Sequence, residues 1–245
     1  MSVESSSKNG VLTISLRETE ARNALDRSTV TDFRSALAVA RNDDGLRLVT
    51  VESSLDRIFS LGMNLEELDA QKGARVWDSF EAISDFAELL IDLATMPVPT
   101  LALVDGAAAG GGVELACICD VLIGTGNASF SIAQLRKGIF PFITSAVLVP
   151  RIGQARFLYW ALSGQTFPAK RLFELGLINQ LCAAEERERT VAVFVERVLS
   201  FDSQTLRAGI AGLRAEAEAE IRGRIRHALA LFTLNCLARG QAATK

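Results

Sequence analysis

The chain has 245 residues, 49% hydrophobic and 22% charged, a balance that suits one large packed core and excludes a low-complexity or disordered polymer. Its net charge of −3 provides no basic footprint for nucleic acid, and no apolar run approaches the roughly 20 residues needed to cross a bilayer. The polar start from Met1 to Gly10 lacks a signal-peptide apolar segment, so a cytoplasmic location is expected; Cys117, Cys119, Cys182 and Cys236 have neither disulfide nor zinc spacing, and no metal site is expected.

Val11 to Leu16 reads as a strand, Ser28 to Arg41 as a helix and Leu46 to Val51 as a second strand. After it comes Arg57-Ile-Phe-Ser-Leu-Gly-Met-Asn-Leu-Glu-Glu-Leu68, in which Gly62 stands just before a helical pattern and Asn64 is suited to cap it. Trp77 to Thr95 carries Trp77, Phe80, Ile83, Phe86, Leu90 and Leu93 at helical spacing, read as packing, and Met96-Pro-Val-Pro99 ends the helix. Thr100 to Val104 is a strand leading into a glycine-rich run; Val121 to Gly124 and Ala128 to Ser131 are short extended segments. Ala155 to Ser163, Ala169 to Leu175 and Glu188 to Leu199 follow as helices. This alternation indicates an α/β fold. From about Glu185 the composition turns to Ala, Arg and Glu, with a helix-prone charged stretch over Ala215 to Arg226, so the chain divides into a core over 1–184 and a helical region over 185–245.

The run Val104-Asp-Gly-Ala-Ala-Ala-Gly-Gly-Gly-Val-Glu-Leu-Ala-Cys-Ile-Cys-Asp120 concentrates the chemistry. Gly110, Gly111 and Gly112 let the backbone turn and present bare N–H groups at a helix start, where they can stabilise an oxyanion. Glu114 falls in the first turn of that helix, placed to move a proton beside a polarised carbonyl. The simpler alternative is a tight turn with Glu114 as an electrostatic cap. Gly62 marks a second strand–glycine–helix junction, and two such junctions can each offer an N–H to one oxygen.

These junctions, with Gly10-Val-Leu-Thr-Ile-Ser-Leu16, Arg22-Asn-Ala-Leu25 and Ala169-Lys-Arg-Leu-Phe-Glu-Leu-Gly-Leu-Ile-Asn179, resemble the crotonase superfamily, the enoyl-CoA hydratases and isomerases. The resemblance implies a spiral of ββα turns, with C-terminal helices that pack between subunits in a homotrimer or dimer of trimers. It implies an acyl-CoA thioester as substrate, with coenzyme A present only as part of that substrate and no further cofactor. The N–H groups of Met63 and Gly111 would form the oxyanion hole. Ser60, Leu61, Gly62, Asn64 and Gly110 would shape its surroundings, while Arg22 and the Ala24 backbone would approach the coenzyme. Glu114 matches one of the two glutamates of the hydratases. In Ala128-Ser-Phe-Ser-Ile-Ala-Gln-Leu-Arg-Lys-Gly-Ile-Phe-Pro141, Gln134 stands where the second is expected.

A neutral amide orients water but does not take its proton. Three readings stay open: hydration of an unsaturated acyl-CoA with Glu114 as base and then acid, double-bond isomerisation by Glu114, and a non-catalytic thioester-binding or structural protein. The Ile-Phe-Pro segment containing Phe140, with Phe142 behind it, is similar to that of hydratases acting on alicyclic dienoyl-CoA esters, although core packing is the commoner fate of such residues. His227, the single histidine, gives no support for a Ser-His-Asp triad, and Asp120 reads as a structural hydrogen-bonding residue. Glu66, Glu67 and Asp69 read as solvent-facing.

Overall fold

A computed structural model of the chain describes residues 2–20, 22–63 and 76–242. Strands alternate between two sheets. The larger sheet has the order β1-β2-β3-β5-β7-β10 and the smaller β4-β6-β8-β9. In the larger, β1 (Val3–Lys8) and β2 (Val11–Leu16) form an antiparallel hairpin, and β3 (Leu48–Ser53), β5 (Thr100–Val104), β7 (Val121–Thr125) and β10 (Gln180–Cys182) continue in parallel. In the smaller, β4 (Arg57–Ser60), β6 (Gly106–Ala109) and β8 (Ser129–Ser131) are parallel and β9 (Thr166–Pro168) returns antiparallel.

Each consecutive pair, β3 with β4, β5 with β6 and β7 with β8, contributes one strand to either sheet before the chain enters a helical segment. Those segments are α2 (Val76–Ala94), α3 (Gly111–Ile118) and a 3-10 turn over Ala133–Lys137 leading to α4 (Phe142–Ile152). This repeat is the ββα spiral. It stacks the C-terminal ends of β4, β6 and β8 in one row, which is why segments far apart in sequence meet there.

Two expectations needed adjustment. Val3–Lys8 is a strand, although five of its six residues are exposed; pairing across the Asn9-Gly10 turn supplies what its side chains do not, and both turn residues have positive φ, as a two-residue hairpin requires. The strand before the glycine run is followed by a second one, Gly106–Ala109, whose small residues allow close approach to β4 and carry no strand signature of their own.

The main core lies between the sheets and α1 (Arg27–Arg41), α2, α3 and α4, and includes Phe33, Phe59, Phe86, Phe130, Phe157 and Trp160. Ile83, Phe86, Leu90 and Leu93 of the α2 stripe are buried as expected, whereas the Trp77 side chain lies outside what is described. The outer face of the larger sheet has its own smaller cluster, Leu48, Leu101, Ile123 and Val198, covered by α7 (Arg187–Ser200). Burial on both faces accounts for the near-continuous apolar sequences of β3, β5 and β7.

Between α4 and α7 the chain forms α5 (Gln154–Ser163) and α6 (Ala169–Glu174). It ends in one helix, α8 (Ser203–Ala242), packed on α4 and α2 of the same chain. Its Ile225 and Ala228 enter the main core, and Arg214 clamps Asp120 through two hydrogen bonds of 2.7 and 2.9 Å. Asp120 also accepts from the Thr100 backbone and hydroxyl at 2.9 and 3.0 Å, the structural role its position suggested. Among the described residues no helix is long and apolar enough to cross a membrane.

Candidate active site

The site begins with a buried asparagine. Arg22 and Asn23 both have φ above +50°, a conformation that asparagine tolerates better than most residues. The Asn23 side chain holds the turn in place: its amide donates to Ser53 Oγ at 2.8 Å and Phe59 O at 2.9 Å, and its carbonyl accepts from Glu18 N at 2.7 Å. Ser60 then donates to Asn23 O at 2.6 Å and accepts from Gly62 N at 3.1 Å. Ala24 bridges to Gly62, and Leu25 N donates to Gly62 O at 3.0 Å. Thus Ala24 and Ser60 are fixed beneath the first junction. Arg22 is exposed, and its side chain makes no ion pair among the described residues.

Gly62 carries φ of +81° and faces the second junction so closely that a Cβ on it would stand 2.5 Å from Ala109 O and 2.7 Å from Gly111 N. Reciprocally, a Cβ on Gly111 would lie 3.4 Å from Met63 N. The two glycine junctions are therefore in direct contact, although some 50 positions separate them in sequence. Gly110 N donates to Ser131 O at 2.9 Å and anchors the start of α3 on β8. Neither the Gly111 nor the Met63 N–H has a hydrogen-bond partner among the described residues.

Beside these amides is a pocket of about 170 Å³, lined by Leu61, Met63, Gly110, Gly111, Glu114 and Gln134, with Ile83 from α2 and Phe232 from α8. Phe140, Phe142 and Ile143 form an apolar wall; Phe140 packs on Phe142 with ring centroids 4.9 Å apart and on Phe157 at 6.4 Å, so it serves both core and pocket. Lys137 stands exposed at the rim. Among the described residues Glu114 is the one carboxylate in the lining.

Glu114 is 5% exposed. Burial pushes its carboxyl up from 4.5 to about 7, partly opposed by a hydrogen bond donated by the Thr144 hydroxyl. Thr144, fully buried on α4, accepts in turn from Gln134 Nε2 at 3.1 Å. Gln134 Oε1 is buried and has no partner. A carboxyl that titrates near neutrality, next to free backbone donors, can accept a proton and return it.

The structure brings together Glu114, Met63, Gly111, Gln134, Leu61, Gly62, Gly110 and Phe140, with Ser60 and Ala24 as their support. Arg22 shares the turn, its side chain directed to solvent. Asn64 lies outside the described residues, as do Glu66, Glu67 and Asp69. Reading the sequence missed Thr144 and the buried role of Asn23. No motif marks Thr144; the available signal is a pair of hydroxyl residues, Thr144 and Ser145, following two apolar ones at a helix start.

A sequence model described as enoyl-CoA hydratase/isomerase matches residues 6–233. The chain belongs to the enoyl-CoA hydratase/isomerase family. It is 30% identical over 178 residues to mouse enoyl-CoA hydratase domain-containing protein 2, mitochondrial, covering 72% of this chain and 59% of that protein. It is also 30% identical over 194 residues to the enoyl-CoA isomerase/hydratase claC of Penicillium crustosum, covering 78% of this chain and 22% of that one. The chain thus spans only part of the length of these relatives. The crystal structure of an enoyl-CoA hydratase from Bacillus halodurans superposes with a TM-score of 0.88 over 96% of this chain and 95% of that chain at 23% identity, a likeness in fold.

Proposed function

We propose that this member of the family hydrates an α,β-unsaturated acyl-CoA thioester, with Glu114 as the one group that moves protons. The observation that carries this reading is the Glu114 carboxyl, buried in the pocket wall beside the two glycine junctions and held there by the Thr144 hydroxyl. In the proposed reaction a water enters the pocket with one hydrogen directed to Glu114. Glu114 takes that proton as the water oxygen bonds to the β-carbon, and the π electrons move onto the thioester oxygen. The Met63 and Gly111 N–H groups stabilise that oxygen as an enolate. Glu114 then returns its proton to the α-carbon, and the carbonyl re-forms. Because one carboxylate handles both ends, hydrogen and hydroxyl add to the same face.

Phe140, Phe142 and Phe232 suit an apolar acyl end, and a ring-bearing dienoyl group is the form we favour. Arg22 and the Ala24 backbone are assigned to the coenzyme moiety, and a homotrimer or dimer of trimers to the assembly.

Double-bond isomerisation is the second reading, favoured by the single carboxylate among the described lining residues, since a proton moved from one carbon to another needs no water. Incubating the protein with linear and ring-bearing enoyl-CoA esters in heavy-oxygen water, with products followed by mass spectrometry, separates the two. Incorporated label supports hydration. A displaced double bond without label supports isomerisation, and esters that bind and stay unchanged overturn both.

A further inference from the structure

We propose that Thr144 is a positioning residue through which the proton on Glu114 determines which end of the Gln134 amide is bound to Thr144 and which is left free. The inference rests on the hydration reading for its use, though its geometry needs no turnover.

A threonine hydroxyl has one proton to donate. Here that proton goes to Glu114, so the Thr144 oxygen must accept from its other neighbour, and Gln134 presents Nε2 to it at 3.1 Å. Donor counting therefore fixes the amide: Oε1 is turned away from Thr144 and left without a partner in a residue that lines the pocket. The result is a directed chain from the 3-10 turn through α4 to α3, polarised toward an ionised Glu114.

When Glu114 holds a proton, the chain can run the other way. The carboxyl O–H donates to Thr144, the Thr144 proton turns to Gln134, and the amide must offer Oε1 to receive it. Rotation of the amide exchanges oxygen for nitrogen with little change of shape, so the end not bound to Thr144 is an acceptor while Glu114 is ionised and a donor once Glu114 holds the proton of the hydration step. No oxidant or further reactant enters; only hydrogen-bond polarity and the one proton of the hydration step change place.

Charged groups on the surrounding elements have partners of their own or face solvent. Arg136 of the 3-10 turn donates to Gly164 O at 3.0 Å and Arg156 of α5 to Ile152 O at 3.4 Å, while on α8 Arg222 pairs with Glu218, Arg224 pairs with Glu220 and His227 is exposed. On α3, Cys117 is kept neutral by burial, its thiol pushed up to about 12. From the 3-10 turn, Lys137 reaches only the pocket rim. Arg151 of α4 donates to Cys119 O at 2.7 Å. The described α2 carboxylates face outward to arginines: Glu81 to Arg27, Asp85 and Asp92 to Arg34, Glu88 to Arg226. Arg57 of β4 is exposed.

The test is a pair of NMR titrations on the unliganded protein, with δ-carbon-labelled glutamate and nitrogen-labelled glutamine side chains. The resonances are assigned by their loss in Glu114→Gln and Gln134→Met. In the wild type, the Gln134 amide is expected to shift at the same midpoint as the Glu114 carboxyl. Thr144→Val should raise the Glu114 midpoint by about one pH unit, since a hydrogen bond to the ionised form is lost, and silence the Gln134 response. Thr144→Ser should restore both. A Gln134 amide that stays constant through the Glu114 titration, or a midpoint unmoved in Thr144→Val, overturns the proposal and leaves Thr144 a packing residue. Should Thr144→Val fail to fold, the wild-type pair and Thr144→Ser decide the matter. Because no turnover is read, the relay and the hydration reading fail independently: an isomerase could retain the coupled titration, and a hydratase could lack it.

Discussion

The two sides of the pocket are built by different means. On one side, Gly62–Met63 and Gly110–Gly111 present backbone, and the approach at Gly62 is so close that a Cβ there is excluded. On the other, Glu114, Thr144 and Gln134 form a chain of side chains whose polarity depends on one proton. The backbone wall is rigid at Gly62 and Gly112, where a Cβ would strike a neighbouring main chain. The side-chain wall is adjustable because hydroxyls and amides reorient. In the proposed hydration, the charge that develops at one point suits the first, and the proton that comes and goes suits the second.

This contrast can be broken most severely at Glu114. Glu114→Gln retains shape and removes proton exchange, so turnover of any accepted enoyl-CoA should fall by about 10³-fold with thioester affinity nearly unchanged, measured by steady-state kinetics and calorimetry. On the backbone side, Met63→Pro deletes one donor and should reduce kcat by about 10² to 10³, whereas Met63→Leu should leave it close to wild type.

Gly112→Ala tests the close approach itself. A Cβ there would stand 2.2 Å from Ser60 O, so urea denaturation should show a loss of about 3 kcal/mol. A comparable effect is expected from pH. The folded state binds the Glu114 proton more tightly than the unfolded chain, with the carboxyl raised from 4.5 to about 7. Its contribution is complete below pH 4.5 and is lost as pH rises through 7, amounting to roughly 3 kcal/mol. Glu114→Gln should therefore gain stability relative to wild type between pH 4 and pH 8. The smallest effect is expected at Gly126→Ala, where a Cβ meets nothing within 4 Å and stability should move by less than about 0.5 kcal/mol.

The legible half of the site was the backbone half. Glycine clusters next to strands announce a close approach, and Gly62 and Gly110 to Gly112 could be read for that reason. Glu114 was found because it follows them in the same helix. Asn23 was visible only as part of a four-residue match, and its hydrogen bonds to Leu16 O, Ser53 and Phe59 reach up to 36 positions along the chain. The β1 strand was missed because its serines have no apolar alternation, although Asn9-Gly10 marked the turn that creates it.

The alternation of strands and helices, the two glycine junctions and the acid that follows one of them are written locally in the chain, because they depend on periodicity and on residues that permit particular backbone shapes. Long-range packing alone makes the junctions touch, brings Thr144 to Glu114 from another helix and adds Phe232 of α8 to the pocket wall. The first two contacts arise from the stacking of successive spiral turns, and the third from α8 packing back on α4 and α2. They join residues from tens to well over a hundred positions apart, and no local pattern records which of them will meet.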